Sequence, residues 1–260
     1  MKRIVEFKNG IEFVVESGKL TSMRNYNSKE ENVVIPHKLS ADKGTINTIG
    51  VDFCHGNYSR IFISDGISKV EKYAFRDAKC REVRWSADCK EIPDDCFSGS
   101  TIRAITNIEH VDNIGECAFI ASDLREITWP SFCKRIPAGC FCGTDIRILP
   151  NVGDVEEIGG CAFKNSLLTH FDWPTKCTTV PNGCFLHCAF LKSVLNANNI
   201  LRIERFAFGN CGLSEKIDLS GAVTISFENG AFLGVGRDKV IFPYYTDEKS
   251  IKGAFSGESE

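Results

Sequence analysis

No apolar run in this sequence approaches the roughly 18 uninterrupted residues of a membrane-spanning helix, so no span is predicted. The net charge is only -3, from 31 Lys and Arg against 34 Asp and Glu, which excludes a globally basic nucleic-acid binder. Five histidines stand at His37, His55, His110, His170 and His187, and no two share a spacing suited to a metal ion. There is no Gly-rich phosphate loop followed by Lys, no nucleophile elbow and no paired-carboxylate motif. Neither metal nor cofactor is expected, and the chain reads as a non-enzyme. An export signal also lacks support, because Glu6, Lys8 and Asn9 interrupt the apolar stretch after Met1-Lys2-Arg3. That absence points to the cytoplasm.

What the chain has instead is a period. Phenylalanine returns every 22 residues at Phe53, Phe75, Phe97, Phe119, Phe141, Phe163 and Phe185, then with small slips at Phe208, Phe232 and Phe255. A fixed short period over most of a chain means stacked supersecondary units, hence a solenoid. The segments 80–85, 102–107, 124–129, 146–151 and 168–173 follow an LxxLxL scheme, in which the first, fourth and sixth side chains of a short strand point inward. Two further apolar columns run through Cys89, Val111, Cys133, Val155 and Cys177, and through Ile92, Ile114, Ile136, Ile158, Val180 and Ile203. The predicted core therefore includes Phe75, Phe97, Phe119, Phe141, Phe163, Phe185 and Phe208.

A second period of 44 residues lies over the first. Trp85, Trp129 and Trp173 fill the sixth strand position in one set of coils, and Asn107 and Asn151 fill it in the other. The tryptophans share the register of leucine-type residues and are assigned to the core. The asparagines are predicted to point inward too, where their amides would satisfy turn N–H groups.

The motifs Ile114-Gly-Glu-Cys-Ala-Phe119 and Ile158-Gly-Gly-Cys-Ala-Phe163, the turn prolines Pro93, Pro130, Pro137, Pro174 and Pro181, and the segment Ala207–Leu213 together resemble the BspA-like, or Treponema-type, leucine-rich repeats. The likeness extends over roughly residues 45 to 245 and many coils. It implies a right-handed, curved leucine-rich-repeat solenoid of about nine coils of 22–24 residues, mostly β and loop with little helix. It also implies binding to proteins, with adhesion and display at a cell surface as the family's common setting.

Residues 1–48 are predicted to form a cap and entry coil, 49–243 the repeat array, and 244–260 a closing coil with an acidic tail, all within one continuous domain. In the cap, Ile11–Val15 and Val33–Ile35 read as a β-hairpin joined by a polar turn through Asn25–Asn32. Most of the 13 cysteines obey the repeat: Cys96, Cys140 and Cys184 stand where Ala118, Ala162 and Ala207 stand in other coils. Such positions call for a small buried hydrophobe, so mostly free thiols are expected. Cys188 and Cys211, in one column of adjacent coils, are the pair whose spacing would permit a disulfide, and Cys54 and Cys142 should be the more accessible thiols.

Candidate binding residues lie on the outward strand positions. Arg81, Arg103, Arg125 and Arg147 recur in four successive coils, Lys192 follows, and Arg84, Glu126, His170 and Asp172 occupy neighbouring columns. The strip reads either as a solvated face on which Arg and Glu neutralise one another or as a recognition strip, where the planar, bidentate hydrogen bonds of arginine suit an acidic protein segment or an anionic glycan. Interleaved carboxylates disfavour a duplex nucleic acid. The chain thus reads as a monomeric, non-enzymatic protein-binding module. The alternatives are a structural spacer and, more remotely, a thiol-dependent or hydrolytic enzyme.

Overall fold

The computed structural model describes residues 3–8, 10–26, 32–40 and 44–257. The fold is a leucine-rich-repeat solenoid of about eight turns, mostly strand and loop with one helix. It divides into two compact units, Met1–Phe132 and Cys133–Glu260.

The first unit opens with an antiparallel meander of β1 (Arg3–Lys8), β2 (Ile11–Glu16) and β3 (Lys19–Asn25). Ser17 and Gly18 join β2 to β3 with φ of 51° and 82°, the two positive values that a type I′ hairpin turn needs. This tight local turn replaces the predicted long hairpin. Residues 32–35 do not pair with Ile11–Val15; as β4 (Asn32–Ile35) they pair in parallel with β5 (Asn57–Ile63) and open the array. Residues 27–31 of the predicted turn lie outside the described residues, as do 258–260 of the tail.

Beyond β5, the sheet continues in parallel through β6 (Lys79–Arg84) and β7 (Ala104–Thr106), and Glu126 adds a single bridge to Ala104. On the opposite side, the rungs turn through paired left-handed residues. Tyr73, Asp95 and Cys117 stand two before each anchor Phe, and Asp77, Gly99 and Ala121 two after, all with φ between 51° and 67°. This conformation accounts for the small or polar residues that dominate both columns, Tyr73 excepted.

Between the left-handed corners, alternate N–H groups serve different partners. Phe75 donates to the Cys96 carbonyl at 2.8 Å and Asp77 to that of Ser98 at 2.8 Å, each in the next coil; Ala78 donates to Phe75 within its own coil at 3.1 Å. Every second bond closes a turn and every other one binds a neighbour. The anchor rings stack along the same ladder, Phe75 on Phe97 at 4.9 Å and Phe97 on Phe119 at 5.5 Å, with planes 19° and 6° apart.

The second unit repeats this scheme. Phe141, Phe163, Phe185, Phe208 and Phe232 stack at 5.3–5.6 Å, and Phe255 ends the series 5.5 Å from Phe232. Its strands include β8 (His170–Asp172) parallel to β9 (Ser193–Leu195), and β10 (Ile217–Asp218) parallel to β11 (Val240–Ile241). The segment 146–151 forms no strand, although Ile146 and Leu149 are buried as predicted. Pro150 has no N–H to give to a ladder. A helix, α1 (Glu248–Phe255), supplies the closing rung: the Asp247 carboxylate caps it through the Ser250 N–H at 2.9 Å, and Ala254 accepts from Phe232 at 2.7 Å.

The indoles of Trp85, Trp129 and Trp173 are buried, and the first and last donate to the carbonyls of Cys89 at 3.1 Å and Cys177 at 2.8 Å. The alternating asparagines do not point inward. Asn107 is half-buried, Asn151 and Asn196 are exposed, and all three have φ between 58° and 67°. Asparagine is used here because it tolerates the left-handed corner; the Asn107 amide then donates back to the Trp85 carbonyl at 2.8 Å.

All thirteen cysteines are free thiols. Burial pushes the thiols of Cys80 and Cys177 up to about 12 and that of Cys188 up to about 11, and raises Cys96 and Cys184 well above the usual range. The Cys188 and Cys211 thiols each donate to a carbonyl one coil back, of Phe163 and Phe185, at 2.9 Å. Cys54 and Cys142 are half-buried, but so are Cys117, Cys161 and Cys211, so that pair is not set apart. The Cys54 thiol itself is strongly desolvated, which raises it well above its ordinary value.

Replacing Phe163 with Ala should cost about 3–5 kcal/mol, the usual cost of deleting a buried aromatic. Chemical denaturation measures this, and a midpoint equal to that of the unsubstituted protein would contradict the stacked, inward placement. The thiols generate a pH test. Cys80, Cys177 and Cys188 are neutral in the folded state and ionise near 8.5 when unfolded, so their contribution is complete below about pH 8.5 and is lost as pH climbs toward 11–12, and the buried Cys96 and Cys184 thiols, raised by desolvation too, act in the same direction. Stability should therefore fall between pH 8 and pH 10.5, by at most about 1.4 kcal/mol per thiol per pH unit. Urea titrations of Cys96→Ala/Cys184→Ala, which installs the residue that Ala118 and Ala207 already supply, should show a shallower fall. An unchanged slope would refute the desolvation of these two thiols.

Candidate functional site

Outward strand positions are set by the pleat: where Cys80, Val83 and Trp85 turn inward, Arg81 and its neighbours face solvent. Two rows of side chains result on the first unit. The register of β5, β6 and β7 aligns Arg60, Glu82, Ala104 and Glu126 in one row. In the adjacent row Arg103 N–H donates to the Arg81 carbonyl at 2.7 Å and Arg125 N–H to that of Arg103 at 2.9 Å. Arg81, Arg103 and Arg125 thus sit on successive rungs and share one open hollow with Arg60, Ala104 and Glu126.

Charge compensation is uneven across this face. Arg60 engages Glu82 at 2.8 Å, and the half-buried Arg84 lies 3.6 Å from Asp65. Arg81 and Arg103 are exposed and make no ion pair or side-chain hydrogen bond among the described residues. The row does not form a neutral Arg and Glu lattice. Two adjacent guanidinium groups are left facing water.

The remaining predicted residues belong to the second unit, and all are exposed. Thr169 N–H donates to the Arg147 carbonyl at 2.8 Å and Lys192 N–H to that of Thr169 at 2.7 Å, so a threonine rung separates the two cations. His170 lies opposite Ser193, its Nδ1 3.0 Å from the Thr169 hydroxyl, and Asp172 lies opposite Leu195. Farther along, the Ser220 hydroxyl and N–H hold the Asp218 carboxyl below its usual range. This face mixes both signs with apolar residues, in contrast to the arginine row of the first unit.

Sequence reasoning missed Arg60, Ser59 and Ala104. The signal was there to be read: Tyr58, Ile61 and Ile63 hold the inward first, fourth and sixth positions of the LxxLxL scheme in the strand of residues 57–63, and 22-residue offsets lead from Arg60 to Glu82 and from Glu82 to Ala104. Among the described residues, no group of three or more His, Cys, Asp and Glu side chains is arranged to hold a metal ion. No helix of the described residues is long and apolar enough to cross a membrane.

The fold matches that of a leucine-rich repeat protein from Bacteroides ovatus, at 16% identity and a TM-score of 0.61 over 94% of this chain and 66% of that one. The pneumococcal vaccine antigen PcpA is similar as well, at 16% identity and a TM-score of 0.54 over 89% of this chain and 79% of that one. The chain therefore spans about two thirds of the length of the Bacteroides protein. No curated protein matches it in sequence. The model of the BspA type leucine rich repeat region matches residues 47–166 and 148–236, in 6 copies. With its anchor phenylalanines, left-handed corners and outward strand rows in those same residues, the chain belongs to the BspA-type leucine-rich-repeat family.

Proposed function

We propose that this protein is a non-enzymatic binding module that takes an acidic protein segment on the arginine row of its first unit, in the adhesive or surface-binding role common in its family. The observation that carries this reading is the uncompensated pair Arg81 and Arg103, next to Arg125 on the same hollow. A solvated face gains nothing from like charges on rungs about 5 Å apart, whose repulsion is on the order of 1 kcal/mol in water. A carboxylate-rich partner removes that repulsion and receives bidentate hydrogen bonds from each guanidinium. A spacer would place no such demand on one face. Burial keeps Cys80, Cys177 and Cys188 protonated at neutral pH, which speaks against a nucleophilic role for these three thiols, since a thiol nucleophile must ionise.

The test compares the protein with Arg81→Ser/Arg103→Ser/Arg125→Ser for capture of Glu- and Asp-rich peptides across a salt series. Binding should weaken at least tenfold in the variant, and in the unsubstituted protein it should fall as salt shortens the screening length to about 8–10 Å. Circular dichroism and stability should stay within about 0.5 kcal/mol, because the substituted side chains are exposed. A variant that captures the peptides with undiminished affinity would assign the row to solubility and overturn the proposal.

A further inference from the structure

The hollow on the first unit has an uncommon construction. In the row Arg60, Glu82, Ala104 and Glu126, a methyl group occupies the rung between two glutamates. Ala104, the smallest side chain of that row, lines the hollow together with Arg81, Arg103 and Arg125. Asn32 and Ser59 complete the lining with neutral donors, Ser59 lying between the register pairs Tyr58–Cys80 and Arg60–Glu82.

The charges of this lining do not cancel. Glu82 is taken by Arg60, and Glu126 is matched in number by its chain neighbour Arg125. Arg81 and Arg103 remain, two positive charges on adjacent rungs. A single carboxylate answers one of them, whereas a phosphate monoester carries a charge of about -1.5 to -2 at neutral pH and three strong acceptor oxygens. A sulfate monoester has the same shape but only one charge. Two guanidinium forks can each take two acceptor atoms of a tetrahedral dianion, and the hydroxyl of Ser59 and the amide of Asn32 can donate beside them.

We infer that the hollow over Ala104 is a phosphate-monoester subsite, so that the acidic segment bound by this face is a phosphorylated one, anchored by Arg81 and Arg103. This rests on the protein-binding reading above and names its partner. The subsite is built by absence as much as by presence: any longer side chain at position 104 would occupy the place of the phosphate.

Fluorescence anisotropy tests it with three acidic peptides of one sequence, carrying phosphoserine, serine or glutamate at the central position. The phosphopeptide should bind at least tenfold more tightly than either other peptide at pH 7.5. The advantage should shrink at pH 5, because the second phosphate ionisation lies near 6. It should vanish in Ala104→Glu, which fills the hollow with a carboxylate, and in Arg81→Ser/Arg103→Ser, with circular dichroism reporting that each variant is folded. Inorganic sulfate, a dianion at both pH values, should compete better than chloride at matched ionic strength. Equal affinity for the three peptides, or an undiminished advantage in Ala104→Glu, overturns the inference while acidic-segment binding can still stand. Failure of all three peptides to bind overturns both readings. A sulfated oligosaccharide that binds more tightly than the phosphopeptide overturns the phosphate assignment in favour of a glycan.

Discussion

The backbone ladder around the anchor phenylalanines is the interaction on which the rest of this structure depends. Phe97 reaches the Ala118 carbonyl at 2.8 Å and Phe163 that of Cys184 at 2.9 Å, so each ring is held in register with the coil that follows. A buried N–H without a partner costs about 1–3 kcal/mol, which makes every rung dependent on its neighbour. Stacked rings and paired N–H groups then enforce one repeat length. A slip in either would put the polar corners where the rings belong.

That constraint explains much of the residue usage. Two left-handed corners flank each anchor from Phe75 to Phe232, and they are occupied by Gly, Asn, Asp, Ala and Cys in most coils, with Tyr73, His187 and Phe206 as the bulkier cases. The cysteine content follows from the same demands. Cys96 and Cys184 fill an alanine-sized site before the ring, whereas Cys117 and Cys161 occupy a corner. Their abundance reflects packing and backbone conformation.

With corners and interior committed, the outward strand positions are the part of each coil free to vary. The first unit uses that freedom for a row of arginines beside Ala104, and the second for a mixture of Arg147, His170, Asp172 and Lys192. Ion pairs elsewhere are exposed, such as Arg237 with Glu248 at 2.6 Å and Arg202 with Glu228 at 2.6 Å, and pairs of this kind contribute little to stability. Uncompensated charge on Arg81 and Arg103 therefore stands out as a property of the face and not of the fold.

The sequence by itself determined the solenoid, its period and its core, because the 22-residue recurrence of Phe and the Trp, Cys and Ile columns are local rules repeated in every coil. It also placed Arg81, Arg103 and Arg125 outward, since strand alternation needs no knowledge of neighbours. It misread Asn107 and Asn151, because a column shared with Trp suggested burial where left-handed backbone was the cause. It misread the cap for a related reason: Ser17-Gly18 closes β2 onto β3, and Asn32–Ile35 finds its partner in Asn57–Ile63 across a gap in sequence that no local pattern spans. Only the tertiary structure decided which charges meet. Whether Glu82 neutralises Arg60 or Arg81 depends on the relative register of β5 and β6, and that register set Arg81 and Arg103 side by side, without a counter-charge, over the space that Ala104 leaves open.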